Sequence, residues 1–425
     1  MRPNNDDPIV VTGMGAVSPL GVGVETNWTR LLAGQSGIVK NDRFDVTDYS
    51  SKVAGLVPSK ADDPQGFDAN DFIDAKDQKK MDLFIQYSMA ATEEALQQSK
   101  WVAETEEQKE RTSTIIATGV GGFPAMTKAT ETIRERGPRR LSPFTVPSFL
   151  GNMAAGHISI RYGFKGEIGS PITACAASAQ AIGDGVRLLR SGAVDVAVCG
   201  GSDACVDPVA IGGFGAARAL CTKYNDEPGK ASRPFDEDHA GFVLSEGAAT
   251  LVLERESHAR ARGTKILGTV EGYGTCADAY HLTALAPGGA GGVRAMELAF
   301  RDAGMVPDQI DYVNAHSTST QVGDEAEIEA IHTVFGDRGT SLAVNSTKAS
   351  VGHLLGAAGA IEAVYSLMAL REQTVPPGIN IDRPMEAAAQ YELAKEGPVK
   401  RDIDFVLSNG FGFGGVNATL IFGRA

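Results

Sequence analysis

A cysteine and two histidines are the residues of this chain best suited to chemistry, because a thiolate is a nucleophile and imidazoles can move or donate protons. Cys175 ends residues 167–174 (EIGSPITA), which read as a short strand, and precedes residues 176–189, where Ala179, Ile182, Val186 and Leu189 recur on one helical face. Gly192 stops that helix, and the apolar run 194–199 has strand length. A cysteine at a strand-to-helix turn meets the positive end of the helix, where unpaired N–H groups favour a thiolate. In other settings a free cysteine is simply a small buried hydrophobe. His316 follows the strand-like run 312–315 and opens the polar run 317–320, while His353 sits in 345–356 (NSTKASVGHLLG) before a helix of small residues. Both flank turns at strand ends, as Cys175 does, although a histidine near a strand end is commonly a satisfied structural residue.

Metal binding is not expected. The three residues are 141 and 37 positions apart, without the paired spacing of a zinc site. The five cysteines are odd in number and form no CxxC pair, so neither a disulfide framework nor a zinc cage is indicated. Gly410-Phe-Gly412-Phe-Gly414-Gly415 has dinucleotide-loop spacing, but the residues after it are strand-like rather than helical. No complete phosphate-binding GxxxxGK[ST] loop occurs either, so no cofactor is expected.

The elements that must position these residues alternate along the chain. Strands are expected at 9–13, 114–118, 194–199, 248–253, 312–315, 405–408 and 418–422, with helices at 82–99, 293–303, 323–335 and 356–371. Such alternation implies α/β layers over buried sheets. The chain reads as two comparable halves, 1–262 and 263–425, with the boundary inside the polar stretch between residues 255 and 272.

Net charge of −14 and a pI near 5.0 argue against general binding to nucleic acid or anionic membranes. No apolar run is long enough to span a bilayer, and the first residues lead directly into a strand without signal-peptide character, so a cytoplasmic location is expected.

The segments Thr173-Ala-Cys175, Asn314-Ala-His316-Ser-Thr318-Ser-Thr320, Ser346-Thr-Lys348-Ala-Ser-Val-Gly-His353 and Asn409-Gly-Phe-Gly-Phe413-Gly-Gly resemble the β-ketoacyl-acyl-carrier-protein synthases, nearest to their elongating, KAS II-type members. The likeness runs from Val10 to the end of the chain. It implies a thiolase-like fold, a five-layer αβαβα sandwich of two duplicated halves, usually as a homodimer. It further implies an acyltransferase in which Cys175 takes an acyl group from acyl carrier protein and a decarboxylated malonyl unit then attacks it. On this likeness His316 and His353 donate N–H groups to the developing enolate, and Lys348 orients the site, its plain alternative being an ion pair with Glu362. Phe413 contributes a backbone N–H and gates the pocket, Val120 and Phe214 line it, and Thr318, Thr320 and, less directly, Thr283 bind the phosphopantetheine arm. Val120 stands where the family often has a larger residue, which implies room for longer acyl chains. Lys76, Lys79 and Lys80, together with Arg139, Arg140 and Arg218, match positions that dock the acidic carrier protein.

The chain departs from the family pattern at Ser317, where glycine is usual, at Ala176-Ala177-Ser178 after the nucleophile, at Gly410 and at Val416. If position 317 needs a positive φ, serine costs stability or shifts the turn. Rival readings are a type II polyketide ketosynthase, a thiolase and a non-catalytic chain-length partner subunit. Having no cysteine after Cys276 weighs against a thiolase, His353 against a chain-initiating synthase, and Cys175 itself against the partner subunit.

Overall fold

A computed structural model describes residues 7–425. Strands β1 (Ile9–Ser18), β2 (Thr112–Ala117), β3 (Ile168–Gly169), β4 (Val196–Asp203) and β5 (Gly247–Arg255) belong to the first half of the chain. The second half supplies β6 (Gly268–Ala277), β7 (Tyr312–Asn314), β8 (Ala343–Asn345), β9 (Phe405–Gly412) and β10 (Val416–Gly423). The first five pair in the order β3-β2-β4-β5-β1 and the second five in the order β8-β7-β9-β10-β6. Taken in chain order within each half, the two arrangements are the same. The parallel and antiparallel pairings also correspond: β2 is parallel to β3 and β4, β7 is parallel to β8 and β9, and the remaining neighbours are antiparallel. A short antiparallel contact of Ile9–Val11 with Gly268–Val270 joins the halves edge to edge.

Helices α1 (Leu83–Ser99) and α2 (Met153–Tyr162) cover the outer face of the first half, and α4 (Ala290–Ala303) and α5 (Gln321–Phe335) lie outside the second. Between the two halves run α3 (Ala177–Arg190) and α6 (Ala358–Glu372), which pack on strands of both and on each other. The result is the expected five-layer, thiolase-like α/β architecture. Three apolar cores match these layers: a central one containing Ile182, Val186, Ile361 and Leu367, and an outer one on each side. Burial of α6 on all sides explains why its sequence has no polar face.

The glycines of the first strand in each half have one purpose. A Cβ at Gly13 or Gly15 would lie 2.1 or 1.9 Å from the carbonyl oxygens of Ala95 and Ala91, so glycine lets α1 lie close on β1. Gly272 and Gly274 face Ala299 and Ala295 of α4 in the same way, at 2.4 and 2.0 Å. The Gly-Met-Gly run is therefore a helix-packing device repeated in both halves. Gly410–Gly415 is likewise no nucleotide loop: β9 continues to Gly412, and residues 413–415 form the hairpin turn into β10.

One strand is much shorter than expected. Only Ile168 and Gly169 pair with β2; the chain then leaves the sheet, and Pro171 accepts a hydrogen bond from the Thr118 N–H. Cys175 thus follows an irregular segment, in a tight turn spanning Ala174–Ala176 that leads into α3. Proline at 171 cannot donate to a sheet ladder, which accounts for the early exit.

Candidate active site

The turn that carries Cys175 has a counterpart in the second half. Ala174 has φ of +50° immediately before Cys175, and Leu355 has φ of +50° immediately before Gly356, each in a turn that opens a central helix. A side chain at positive φ is strained, and both turns persist because their surroundings hold them. The two turns lie against each other, and β4 holds the second. Asp203, at the end of that strand, accepts hydrogen bonds from the N–H of Gly119 at 2.8 Å, the N–H of Gly356 at 2.6 Å and the Thr118 hydroxyl at 2.7 Å. Burial pushes its carboxyl up to about 6 despite these donors. A Cβ at Gly356 would lie 2.1 Å from the Gly119 nitrogen, so only glycine permits the approach.

His353 reaches Cys175 from the loop just before the second turn. Its backbone is pinned by hydrogen bonds to Val243 and from Ser245, and its Nε2 lies 2.9 Å from the Cys175 Sγ. His316 follows β7, and its ring packs edge to face on that of His353, with centroids 5.4 Å apart. One ligand-capable atom from each of Cys175, His316 and His353 lies within 4.8 Å of the others. Residues as much as 178 positions apart thus converge on one point. Phe242 stacks against His353 and Phe411 against His316, so the two imidazoles are clamped between phenylalanines.

Buried carboxylates hold the His316 loop. Glu327 of α5 accepts from the backbone N–H groups of His316 at 2.8 Å and Ser317 at 2.6 Å, from the Ser317 hydroxyl and from Asn409. Asp324, one turn earlier, accepts from the N–H groups of Ser319 and Phe235. The positive φ in this loop falls at Ser319, at +71°, and not at Ser317. Serine at 317 therefore carries no strain, and its hydroxyl gains a carboxylate partner.

Lys348 is fully buried and ion-paired with Glu362 of α6, as the plain alternative had it, and this pair faces the site. Burial raises the Glu362 carboxyl to about 7, against the opposing pull of Lys348. Burial, followed by the Lys348 charge, depresses both His316 and His353 well below the ordinary imidazole range, so both rings are neutral. The expected thiolate is corrected here: burial pushes the Cys175 thiol up to about 12. Lys348 pulls the other way, as do the backbone N–H groups of Phe413 and of Cys175 itself, but desolvation outweighs them. The resting pair is a thiol beside a neutral imidazole, so ionisation must accompany reaction rather than precede it.

A cavity of about 650 Å³ opens over the thiol and is lined by Val120, Phe214, Thr283, Thr318, Thr320 and Phe413, among others. Thr318 and Thr320 share a hydroxyl contact of 3.1 Å. Phe413 is 42 % exposed, and positive φ at Gly414 and Gly415 allows its turn. Arg218 also lines the cavity, whereas the other basic positions stand outside it. Lys76 and Lys80 lie beside Asp74 and Asp77, and Lys80 extends over the Phe144 ring. Asp203, Glu327, Phe242 and Phe411 were not legible as site residues. The only hint for Asp203 was its place after Gly200-Gly-Ser at a strand end.

Residues 6–259 match the Beta-ketoacyl synthase, N-terminal domain family, and residues 267–382 match the Beta-ketoacyl synthase, C-terminal domain family. The 3-oxoacyl-[acyl-carrier-protein] synthase 2 of Rhizobium meliloti is 44 % identical over 98 % of both chains, and that of Vibrio cholerae is 46 % identical over 98 % of this chain and 99 % of its own. Among solved structures, a β-ketoacyl synthase from Burkholderia phymatum superposes with a TM-score of 0.90 at 31 % identity, covering 99 % of this chain and 100 % of its own. A type II polyketide ketosynthase, solved in complex with its acyl-carrier protein and bound to the hexaketide, gives 0.89 at 28 % identity, over 99 % and 100 % of the two chains.

The thiol's raised pKa has a direct consequence. The rate of Cys175 alkylation by iodoacetamide, followed by peptide mass spectrometry, should climb steadily from pH 7 to pH 10; a plateau below pH 8 would mean a thiolate at rest. The same shift makes stability fall above roughly pH 8.5, where an unfolded thiol ionises but this one does not. With both domain families matched over most of its length and its four motifs gathered around one thiol inside a five-layer fold, the chain belongs to the β-ketoacyl synthase family.

Proposed function

We propose that this chain is a 3-oxoacyl-[acyl-carrier-protein] synthase of the elongating type, lengthening fatty acyl chains by two carbons. The observation that carries this reading is the 2.9 Å contact of the Cys175 thiol with a neutral His353, beside a second neutral histidine. In the first half-reaction the Cys175 sulfur attacks the thioester carbonyl of an acyl carrier protein while His353 Nε2 takes the thiol proton. The backbone N–H groups of Cys175 and Phe413 receive the oxyanion, and collapse expels the carrier thiol, which recovers the proton. Malonyl carrier protein then binds and releases CO₂. The enolate oxygen so formed accepts from the ring N–H groups of His316 and His353, and its carbon attacks the acyl-cysteine, expelling the Cys175 thiolate, which takes a proton from solvent to restore the thiol. A single donor to such an oxyanion contributes roughly 10²–10³ in rate.

Lys348, paired with Glu362, orients the site and keeps both histidines neutral. Val120 bounds the acyl end of the cavity with a small side chain, which favours long acyl donors. Thr318, Thr320 and Thr283 line the path of the phosphopantetheine arm, and Phe413 on its glycine-rich turn gates it. The halves 1–262 and 263–425 act as the nucleophile-bearing and histidine-bearing units in a cytoplasmic enzyme; the free cysteines and the absence of any helix long and apolar enough to cross a membrane, among the described residues, accord with this.

Incubation with a panel of acyl carrier proteins and malonyl carrier protein, with mass spectrometry of the products, tests the reading. The wild type should yield 3-oxoacyl products with long donors favoured, and Cys175→Ala should yield none. Products surviving that substitution would instead mark a non-catalytic partner subunit, and equal rates with short and long donors would reject the role of Val120. Longer, multiply extended products would favour the polyketide reading that the solved neighbours suggest.

The carrier protein docks on the basic residues Lys76, Lys79, Lys80, Arg139, Arg140 and Arg218. Reversing charge with Lys79→Glu and Lys80→Glu should weaken carrier affinity, more so at low salt; unchanged affinity would exclude this face. A second copy of the chain covers apolar surface within residues 120–172 and leaves Arg139 and Arg140 free for the carrier. Nine of the seventeen exposed large apolar side chains fall in that segment, Ile160 and Ile172 among them, and β3 leaves an open sheet edge beside them. A sedimentation mass of one chain would exclude the homodimer.

A further inference from the structure

The spacing of Cys175, His316 and His353 along the chain points away from a metal site, but spacing is a criterion for ligands on neighbouring elements, and here the fold overrides it. One donor atom from each residue lies within 4.8 Å of the others, and among the described residues no other three histidine, cysteine or acidic side chains converge so closely. All three line the cavity, so a fourth ligand can come from its open side. A tetrahedral ion held by one sulfur and two imidazoles sets these atoms about 3.3–3.5 Å apart. His353 Nε2 now lies 2.9 Å from the thiol sulfur, and side-chain movements of about 1 Å would seat the ion. The donor set also selects among ions. A thiol and two imidazoles suit a thiophilic cation rather than magnesium or calcium. The carboxylates around the thiol are already engaged, Asp203 by Thr118, Gly119 and Gly356, and Glu362 by Lys348.

We propose that Cys175, His316 and His353 form an inhibitory site for a thiophilic divalent cation of the zinc type, which closes the nucleophile reversibly. Binding breaks the S–H bond, forms one metal–sulfur and two metal–nitrogen bonds, and releases the thiol proton to the buffer. No oxidant or reductant takes part. The site exchanges its ion rather than retaining it. A histidine that holds a resident metal donates its other ring N–H to a carboxylate, a carbonyl or water. His353 faces the thiol through Nε2, and its Nδ1 is buried without a hydrogen-bond partner. Such a missing partner costs roughly 10–100-fold in metal affinity. The Lys348 charge, felt at both rings, opposes a second cation as well. Metal binding here goes beyond the condensing function and does not depend on it, since it needs only the three side chains and access to them.

Alkylation of Cys175 by iodoacetamide, followed by peptide mass spectrometry on the full chain with Zn²⁺ alone as the probe, tests the site. Zn²⁺ at ten times its dissociation constant should slow alkylation about tenfold by mass action. EDTA should restore the rate, and Mg²⁺ at the same concentration should leave it unchanged. His316→Gln and His353→Gln should each raise the Zn²⁺ concentration for half-protection by at least roughly tenfold, the loss that even an outer partner of a ligand brings. Each variant is compared with itself in the absence of metal, and either one suffices if the other fails to fold. Co²⁺ in place of Zn²⁺ should give a thiolate-to-cobalt charge-transfer absorption at one equivalent, absent in Cys175→Ser. Absence of Zn²⁺ protection, protection unmoved by both histidine substitutions, or a cobalt absorption that survives Cys175→Ser would overturn the proposal. No acyl donor is present, so the outcome is independent of whether the chain condenses acyl groups.

Discussion

The close approach of α3 and α6 at the centre of the molecule is the constraint on which the rest depends. A Cβ at Gly359 would lie 2.7 Å from the Ala179 nitrogen, and the Ser178 hydroxyl accepts from the Ala360 N–H at 2.8 Å. The two helices touch at their N-terminal ends, where the strained turns carrying Cys175 and Gly356 begin. If they stood further apart, His353 would not reach the thiol, and Asp203 could not bond both the Gly356 turn and the Gly119 loop. The departures Ala176, Ala177 and Ser178 belong to this contact. Small residues there keep the helices close, so they belong to the packing of the site before any effect on substrate.

Electrostatics at this contact are governed by desolvation. His316, His353, Asp203 and Glu362 around the thiol are buried, and burial favours the uncharged form of each. The Lys348 charge, beside Glu362, adds to burial in disfavouring protonation of both histidines. A buried ion pair adds little to stability by itself. Here its lysine adds to burial, the larger cause, in keeping two imidazoles neutral, with one N–H and one lone pair each. The cost falls on stability in acid: unfolded histidines take up protons below about pH 6.5 while these do not, so the fold weakens as pH falls through that range.

Much of the fold was legible because its sequence patterns are local. Strand and helix periodicities marked most elements, and the turn residues marked their ends. The segment before Cys175 misled, since its strand-like composition gave no sign that the chain would leave the sheet after Gly169. The macrodipole argument for a thiolate was sound in isolation, but it weighed a local effect without knowing how deeply the sulfur is buried. Ser317 misled in another way: the need for positive φ lies two residues on, at Ser319, and depends on how Asp324 and Glu327 hold the loop.

Taken alone, the sequence determined the order of elements, the duplication of the chain and the identities of the thiol and the two imidazoles, because residue type and spacing along the chain carry that information. Tertiary structure alone decided how those groups are protonated and which carboxylates and phenylalanines hold them. Desolvation and hydrogen bonding depend on neighbours brought together across 100 residues or more, as Asp203 is to Gly356 and Cys175 to His353.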